Sequence, residues 1–363
     1  MIPEPMRDST ATMRAVVFEK FGGPPSLREV GVPACPADGV VVRVGATGVC
    51  RSDWHGWQGH DDGITLPHVP GHELAGTVAQ LGPGVSGWRV GDVVTVPFVC
   101  ACGACPACLA GEQQVCEHQT QPGFSRAGSF AEYVALDHAD VNLVRLPAGM
   151  SPVTAAALGC RFATAYRAVT VHARPSAGRW VVVHGCGGVG LSAVMIAVAG
   201  GARVVAVDVS APAREAAVAL GAELALDPGA CGGGSPDDVG ASIRAATGGG
   251  AHASIDALGI GATALASVLG LRRRGRHVQV GLLLGAQARP PLPMDRVVGW
   301  ELELYGSHGM AARAYPAMLA RIASGDLRPD LLVGTVITLD EAPGALIALG
   351  GPSSSAGMTI IVP

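Results

Sequence analysis

The sequence predicts an α/β protein of two unlike parts, a β-rich part followed by a doubly wound parallel sheet. Three observations carry this expectation. Up to about residue 150, short apolar runs are cut by Gly and Pro: AVVF, GVVVRVGATGV, AGTVAQLG, DVVTVPF and AEYVAL. Apolar and β-branched runs bounded by turn residues read as strands. After Ser151, Ala-rich helical stretches alternate with nearly unbroken apolar runs: RWVVVHG, ARVVAVDVS, ASIDALG and RHVQVGLLLG. Strands that are apolar on both faces and alternate with helices belong to a parallel sheet covered on both sides. Finally, the chain holds 10 Cys, five of them crowded into VCACGACPACLAGEQQVC at residues 99–116.

Along the chain, residues 1–12 are a short polar lead-in without the apolar stretch of a signal peptide, and Met13 opens the first strand. With 363 residues, 49% of them hydrophobic and 15% charged, the chain is too apolar for disorder and long enough for two cores. A formal charge of −4 gives no footprint for nucleic acid, and the short run Arg272-Arg273-Arg274 reads as a solvated helix end. The longest uncharged stretch, residues 180–202, has the length of a membrane span. It contains His184 and Gly at 185, 187, 188, 190, 200 and 201, however, which fit a buried strand, loop and helix. The expectation is a soluble, cytoplasmic protein. The segment DPGACGGGSPDD, residues 227–238, reads as a flexible surface loop. From about Gly306 the helix AARAYPAMLARIASG and the strands VGTVITL and GMTIIV close the chain.

Four of the crowded cysteines follow C-x2-C-x2-C-x7-C: Cys102, Cys105, Cys108 and Cys116. Four thiolates on a short irregular loop close a tetrahedron around a structural Zn²⁺. Gly103 and Pro106 supply the turns. The rival metal, an iron–sulfur cluster, lacks its ferredoxin spacing here. Disulfides are disfavoured by the compartment. Cys100 fits no ligand position. A closed site of this kind does no chemistry, so a reactive metal needs other ligands. Cys50 lies in GATGVCRSDWHGW, His72 and Glu73 in VPGHELAGTV, and Cys160 in ALGCRFATAY. Two thiolates and one imidazole leave a fourth position open for water or substrate.

The stretch VVVHGCGGVGLSAVMIAVAGGARVVAVD reads as a strand, a glycine turn, a helix and a second strand ending in an acid. Gly185, Gly187 and Gly190 form G-x-G-x-x-G in that context, for the tight turn, the approach of pyrophosphate and close helix packing respectively. The free N–H groups of the helix start then face the phosphates. Asp208, at the end of the second strand, is placed to bond ribose hydroxyls, which favours NAD over NADP; its alternative role is that of a helix-capping acid. Arg214 nearby leaves NADP open.

On GVCRSDWHGW, GHE, the four-cysteine lobe, GSFAEY, Cys160 and GCGGVG, the chain resembles the zinc-dependent alcohol dehydrogenases of the medium-chain dehydrogenase/reductase superfamily, over residues 13–363. The resemblance implies a GroES-like catalytic domain at residues 1–161 and 306–363, with its zinc lobe at about 98–118. A Rossmann NAD-binding domain spans residues 162–305 between them. It implies Cys50, His72 and Cys160 as catalytic zinc ligands, Glu73 as a carboxylate able to approach the metal, and Asp53 as the partner orienting His72. Ser52 takes the substrate proton, and His55 ends that relay beyond the nicotinamide ribose. Arg51 contacts pyrophosphate and Thr164 lies near the nicotinamide. Gly185, Gly187, Gly188, Val189, Gly190, Asp208, Val280 and Leu282 surround the coenzyme. Trp57, Phe98 and Leu282 line the substrate pocket, ordinary core packing being the alternative for Trp57 and Phe98.

The implied cofactors are two Zn²⁺ per chain and NAD. The implied partner is a small alcohol, aldehyde or ketone, with no nucleic acid or membrane, and the assembly a homodimer or homotetramer. The implied reaction moves a hydride between an alcohol and NAD, on apolar or aromatic alcohols of modest size. A dedicated cyclitol, sugar or aldehyde enzyme is the alternative, and a non-catalytic NAD-binding protein a remote one. Polyol-type relatives carry Glu where this chain has Cys160. The chain departs from the family near its end, where AGMTIIVP puts Met358 in a slot that many relatives fill with a basic residue facing the coenzyme phosphates.

Overall fold

Fifteen strands and the helices between them make up the computed structural model, which describes residues 11–351 and 357–363. The polar lead-in falls largely on residues 1–10, outside the described residues. The strands are β1 (Thr12–Val17), β2 (Ser26–Gly31), β3 (Val40–Val49), β4 (Glu73–Leu81), β5 (Val93–Thr95), β6 (Tyr133–Leu136), β7 (Val144–Arg145), β8 (Trp180–His184), β9 (Arg203–Val207), β10 (Leu224–Leu226), β11 (Ala251–Asp256), β12 (Leu271–Gln279), β13 (Glu303–Gly306), β14 (Val333–Thr338) and β15 (Met358–Val362).

They fall into two main sheets. One has the order β14-β15-β3-β4-β5-β7, with β6 also pairing β3, so the end of the chain returns to the sheet begun near its start. β1 and β2 form a separate antiparallel pair. β2 escapes a pattern search because its sequence, SLREVG, is largely polar; it is held by its ladder with β1.

The other sheet is wholly parallel, in the order β10-β9-β8-β11-β12-β13. Chain order reverses between β8 and β11, and ligands of doubly wound sheets bind outside the strand carboxyl ends at such a switch point. The central strand WVVVH is buried at every residue, as expected for a strand with helices on both faces. Residues 180–202 form β8, a turn and the helix Gly188–Ala199. Among the described residues no helix is long and apolar enough to cross a membrane. The largest apolar cluster joins Val181, Val183, Val194 and Ile196 to Phe162, Tyr315, Met318 and Ile360, so both sheets share one packed interior.

Two expectations are corrected. Arg272-Arg273-Arg274 is not a helix end: the helix Gly261–Leu269 stops at Gly270, and the three arginines lie in β12. Arg274 takes φ +61° and pairs with Glu301 at 2.6 Å. Residues 227–238 lie largely at the surface, as expected, but are not a plain loop. Asp227 accepts from the Gly229 N–H to cap a short 3-10 turn, Cys231 is buried, and Ser235 caps the helix Pro236–Ala246.

Candidate functional site

Three backbone segments converge below the helix Gly188–Ala199. Cys50 directly follows β3 and is the N-cap of the helix Arg51–Trp57. Antiparallel pairing sets Glu73, the first residue of β4, opposite Gly48, which brings His72 and Glu73 beside Cys50. Cys160 comes from a π-helical turn, Leu158–Phe162. Widened turns of this kind recur at functional sites. The ligand atoms of Cys50, His72, Glu73 and Cys160 all lie within 4.8 Å of one another.

His72 is held on one side only. Its Nδ1 lies 2.8 Å from Asp53 Oδ1, while its Nε2 is buried with no partner. Burial works against the charged imidazole, but the adjoining Asp53 carboxylate prevails and raises its pKa. The hydrogen bond from Cys160, aided by His72 and Arg161, lowers the Cys50 thiol well below its ordinary value; the same bond, with burial, holds Cys160 well above. The two sulfurs thus lie beside an imidazole nitrogen that has no hydrogen-bond partner. Such a donor set fits Zn²⁺.

Arg161, which no sequence motif singled out, pairs with Glu73. The Arg161 backbone N–H donates to Glu73 Oε1 at 2.8 Å, Nε to both carboxylate oxygens at 3.0 and 2.9 Å, and Nη2 to Oε2. Burial pushes Glu73 up against the pull of Arg161, while Arg161 stays cationic because Glu73 and Cys50 outweigh its own burial. Gly48 leaves room for the pair: a Cβ there would overlap Glu73 Oε2 and come within 2.7 Å of Arg161 Nη2.

The surrounding walls are aromatic. Phe98 and Phe124 lie with ring centroids 6.2 and 5.3 Å from His72, and His308 lies 5.1 Å from Phe98. Phe124 and His308 were not anticipated; they sit in irregular segments that carry no periodic signal. Trp57 packs with Phe18, Ile64 and Leu346 and donates its indole N–H to the Gly23 carbonyl at 2.6 Å. Leu282 is half exposed beyond the end of β12. Ser52 Oγ is 3.9 Å from Cys50 Sγ. His55 Nδ1 meets His60 Nδ1 at 3.0 Å, and burial lowers the His55 pKa. Arg51 is exposed and lies over the Trp54 ring at 5.0 Å.

The glycine turn has the geometry a dinucleotide needs. Gly185 takes φ +85°, a Cβ on Gly190 would collide with the Gly185 carbonyl, and Gly187 opens onto free space. The helix Gly188–Ala199 has no side-chain cap and no acid in its first turn. Thr164 Oγ1 is buried without a partner. These features fit a bound dinucleotide. Asp208 braces the turn, accepting from the Cys186 N–H at 2.6 Å and the Ser210 N–H at 2.8 Å, so its carboxylate is already partly engaged. Val280 donates its N–H to the Asp256 carbonyl.

Cys102, Cys105, Cys108 and Cys116 form a second cluster within 4.8 Å. The Cys102 and His118 N–H groups point at Cys116 Sγ, each at 3.3 Å. The Ala104 and Cys105 N–H groups point at Cys102 Sγ, each at 3.4 Å. Backbone N–H groups of Cys108 and Glu117 lower the Cys105 thiol to about 6. Donors aimed at sulfur stabilise thiolates, so this set also fits Zn²⁺. Cys100 stands apart, with burial pushing its thiol up to about 12.

Comparison with known proteins agrees with this geometry. Residues 36–148 match the family model described as an alcohol dehydrogenase GroES-like domain, and residues 188–324 match the zinc-binding dehydrogenase model. An alcohol dehydrogenase of Geobacillus stearothermophilus is 38% identical over 277 residues, 74% of this chain and 78% of that protein. An NAD-dependent alcohol dehydrogenase of Sulfurisphaera tokodaii is 31% identical over 360 residues, 97% of this chain and all of the relative. The structure of the alcohol dehydrogenase TADH from Thermus sp. ATN1 superposes with a TM-score of 0.86 at 30% identity, covering 96% of this chain and 99% of that one.

Proposed function

The chain belongs to the zinc-dependent alcohol dehydrogenase family of the medium-chain dehydrogenase/reductase superfamily, and from that premise we propose a residue-level account of its chemistry. It is an NAD-dependent oxidoreductase that interconverts alcohols with aldehydes or ketones. The observation that carries the account is the convergence of Cys50, His72 and Cys160, their ligand atoms within 4.8 Å of one another and His72 Nε2 buried without a partner. When bound, zinc supplies a Lewis acid that acidifies an alcohol hydroxyl, and NAD supplies the hydride acceptor.

Cys50, His72 and Cys160 hold the reactive zinc, and Asp53 fixes the tautomer and tilt of His72. Glu73 waits beside them, restrained by Arg161. Ser52 receives the proton released from the alcohol, and His55 passes it towards exposed His60. Phe98 and Phe124 exclude water from the reacting carbon and favour apolar or aromatic alcohols. Thr164 and the N–H groups following Gly187 orient the coenzyme. The four cysteines of the lobe hold a second, structural zinc.

Residues 1–161 and 306–363 make up the catalytic domain in this reading, and residues 162–305 the coenzyme domain. Ten free cysteines suit the reducing cytoplasm. The working form is a homodimer or homotetramer, checked by light scattering of the purified protein. The deciding experiment is NADH formation by zinc-replete protein with short aliphatic, benzylic, secondary and cyclitol alcohols. Turnover greatest with benzylic alcohols supports the reading. Turnover confined to cyclitols overturns the apolar pocket.

A further inference from the structure

Arg161 faces two sites at once. On one side its Nε and Nη2 bond Glu73, within the cluster of Cys50, His72 and Cys160. On the other it lies against Gly188, the first residue of the helix Gly188–Ala199. A Cβ on Gly188 would sit 2.5 Å from Arg161 Cδ and 3.3 Å from both Nε and Nη1. Nη1 takes no part in the bonds to Glu73. A buried guanidinium and the uncapped N–H groups of a long helix therefore converge beside the open space at Gly187. An anion there gains both the helix-end dipole and a charge-assisted donor. Met358 supplies neither charge nor donor; it is 1% exposed in β15 and packs in the shared interior.

The charges sharpen the point. With a divalent cation held by two thiolates, Glu73 and Arg161 neutralise each other, while the buried Asp53 carboxylate is turned to His72 and to the Cys50 and Gly71 N–H groups. A phosphate at the helix end competes with Glu73 for the same guanidinium.

We propose that Arg161 is this chain's cationic contact to the coenzyme pyrophosphate, and that sharing it with Glu73 couples coenzyme binding to the position of Glu73 beside the metal. The proposal rests on the dehydrogenase reading above. Arg161 is a positioning residue for the metal side and a binding residue for the coenzyme side. Coenzyme entry loosens the Arg161–Glu73 pair and frees the carboxylate to approach the metal.

The test compares the zinc-loaded wild type with Arg161→Gln and Arg161→Lys by calorimetric titration with ADP-ribose and with adenosine, which lacks phosphate. ADP-ribose affinity is expected to fall about tenfold or more in Arg161→Gln, to recover in part in Arg161→Lys, and adenosine affinity to stay unchanged. In cobalt-substituted protein, ADP-ribose is expected to shift the visible absorption bands of the wild type but not of Arg161→Gln. Equal ADP-ribose affinity in wild type and Arg161→Gln overturns the proposal and leaves Arg161 a counter-ion of Glu73. Absence of ADP-ribose binding by the wild type overturns the dehydrogenase reading itself. If Arg161→Gln does not fold because Glu73 loses its partner, the double variant E73Q/R161Q is compared with E73Q for the same titrations.

Discussion

Asp53 and His72 meet at 2.8 Å, carboxylate to Nδ1, with both side chains shut off from solvent. The same carboxylate accepts from the Gly71 N–H at 3.1 Å and the Cys50 N–H at 2.9 Å, so it grips the backbone beside two of the metal-binding side chains. In Asp53→Asn one of these donors faces an amide N–H₂ and loses its acceptor. Zinc affinity of the reactive site is expected to fall about 10- to 100-fold, as for other partners of ligating histidines. Competition with a chromophoric chelator measures it, and wild-type zinc retention would remove Asp53 from that role.

Cys50→Ser separates metal from coenzyme. A serine hydroxyl keeps the N-cap position of the helix Arg51–Trp57 but removes a sulfur from the cluster with His72 and Cys160. Turnover is expected to vanish while NADH still binds with near wild-type affinity, read by fluorescence titration, because the glycine turn lies on another sheet. Full activity in this variant would mean the reactive metal lies elsewhere.

How far the sequence reached depended on what fixes each feature. The glycine turn was legible because backbone sterics dictate it: only Gly takes φ +85° freely at residue 185, and only Gly fits against the Gly185 carbonyl at residue 190. In a chain with 10 Cys and 11 His, the set of Cys50, His72 and Cys160 was legible from the motifs around them, GVCRSDWHGW, GHE and ALGCRF, rather than from residue type alone. Arg161 was not, because its partner Glu73 lies 88 residues away and the contact depends on a widened helical turn. Arg272-Arg273-Arg274 misled for the opposite reason. The helix Gly261–Leu269 does end just before the arginines, but Gly270 turns the chain at once into β12, where Arg273 and Arg274 project to solvent. Trp57 shows a third limit. Its place in the motif said nothing about the Gly23 carbonyl that anchors its indole.

The four-cysteine lobe has almost no core of its own. Its buried cluster consists of Ala101, Cys105, Cys108 and Cys116, so metal–sulfur bonds stand in for apolar packing. Cys105→Ser is expected to lose one zinc per chain and to expose residues 102–116 to limited proteolysis, while ADP-ribose affinity stays close to wild type. A variant that keeps all its zinc and resists the protease would show that the lobe is held by its flanking contacts instead, such as Arg313 Nε on the Gly111 carbonyl at 2.9 Å.

His184 makes stability depend on pH. It ends β8 in register with Asp256 of β11, and its Nε2 is buried without a partner. Burial, with a lesser push from His277 and against the pull of Asp256, lowers its pKa from 6.5 to about 4. The unfolded chain therefore takes up a proton between those values that the native protein refuses. Stability from this group is complete above about pH 6.5 and is lost as the pH falls towards 4, by about 3 kcal/mol in all. His184→Val removes the titration, so its unfolding free energy in urea is expected to fall less steeply than that of the wild type between pH 7 and 5. Parallel slopes would show that other groups carry the acid sensitivity.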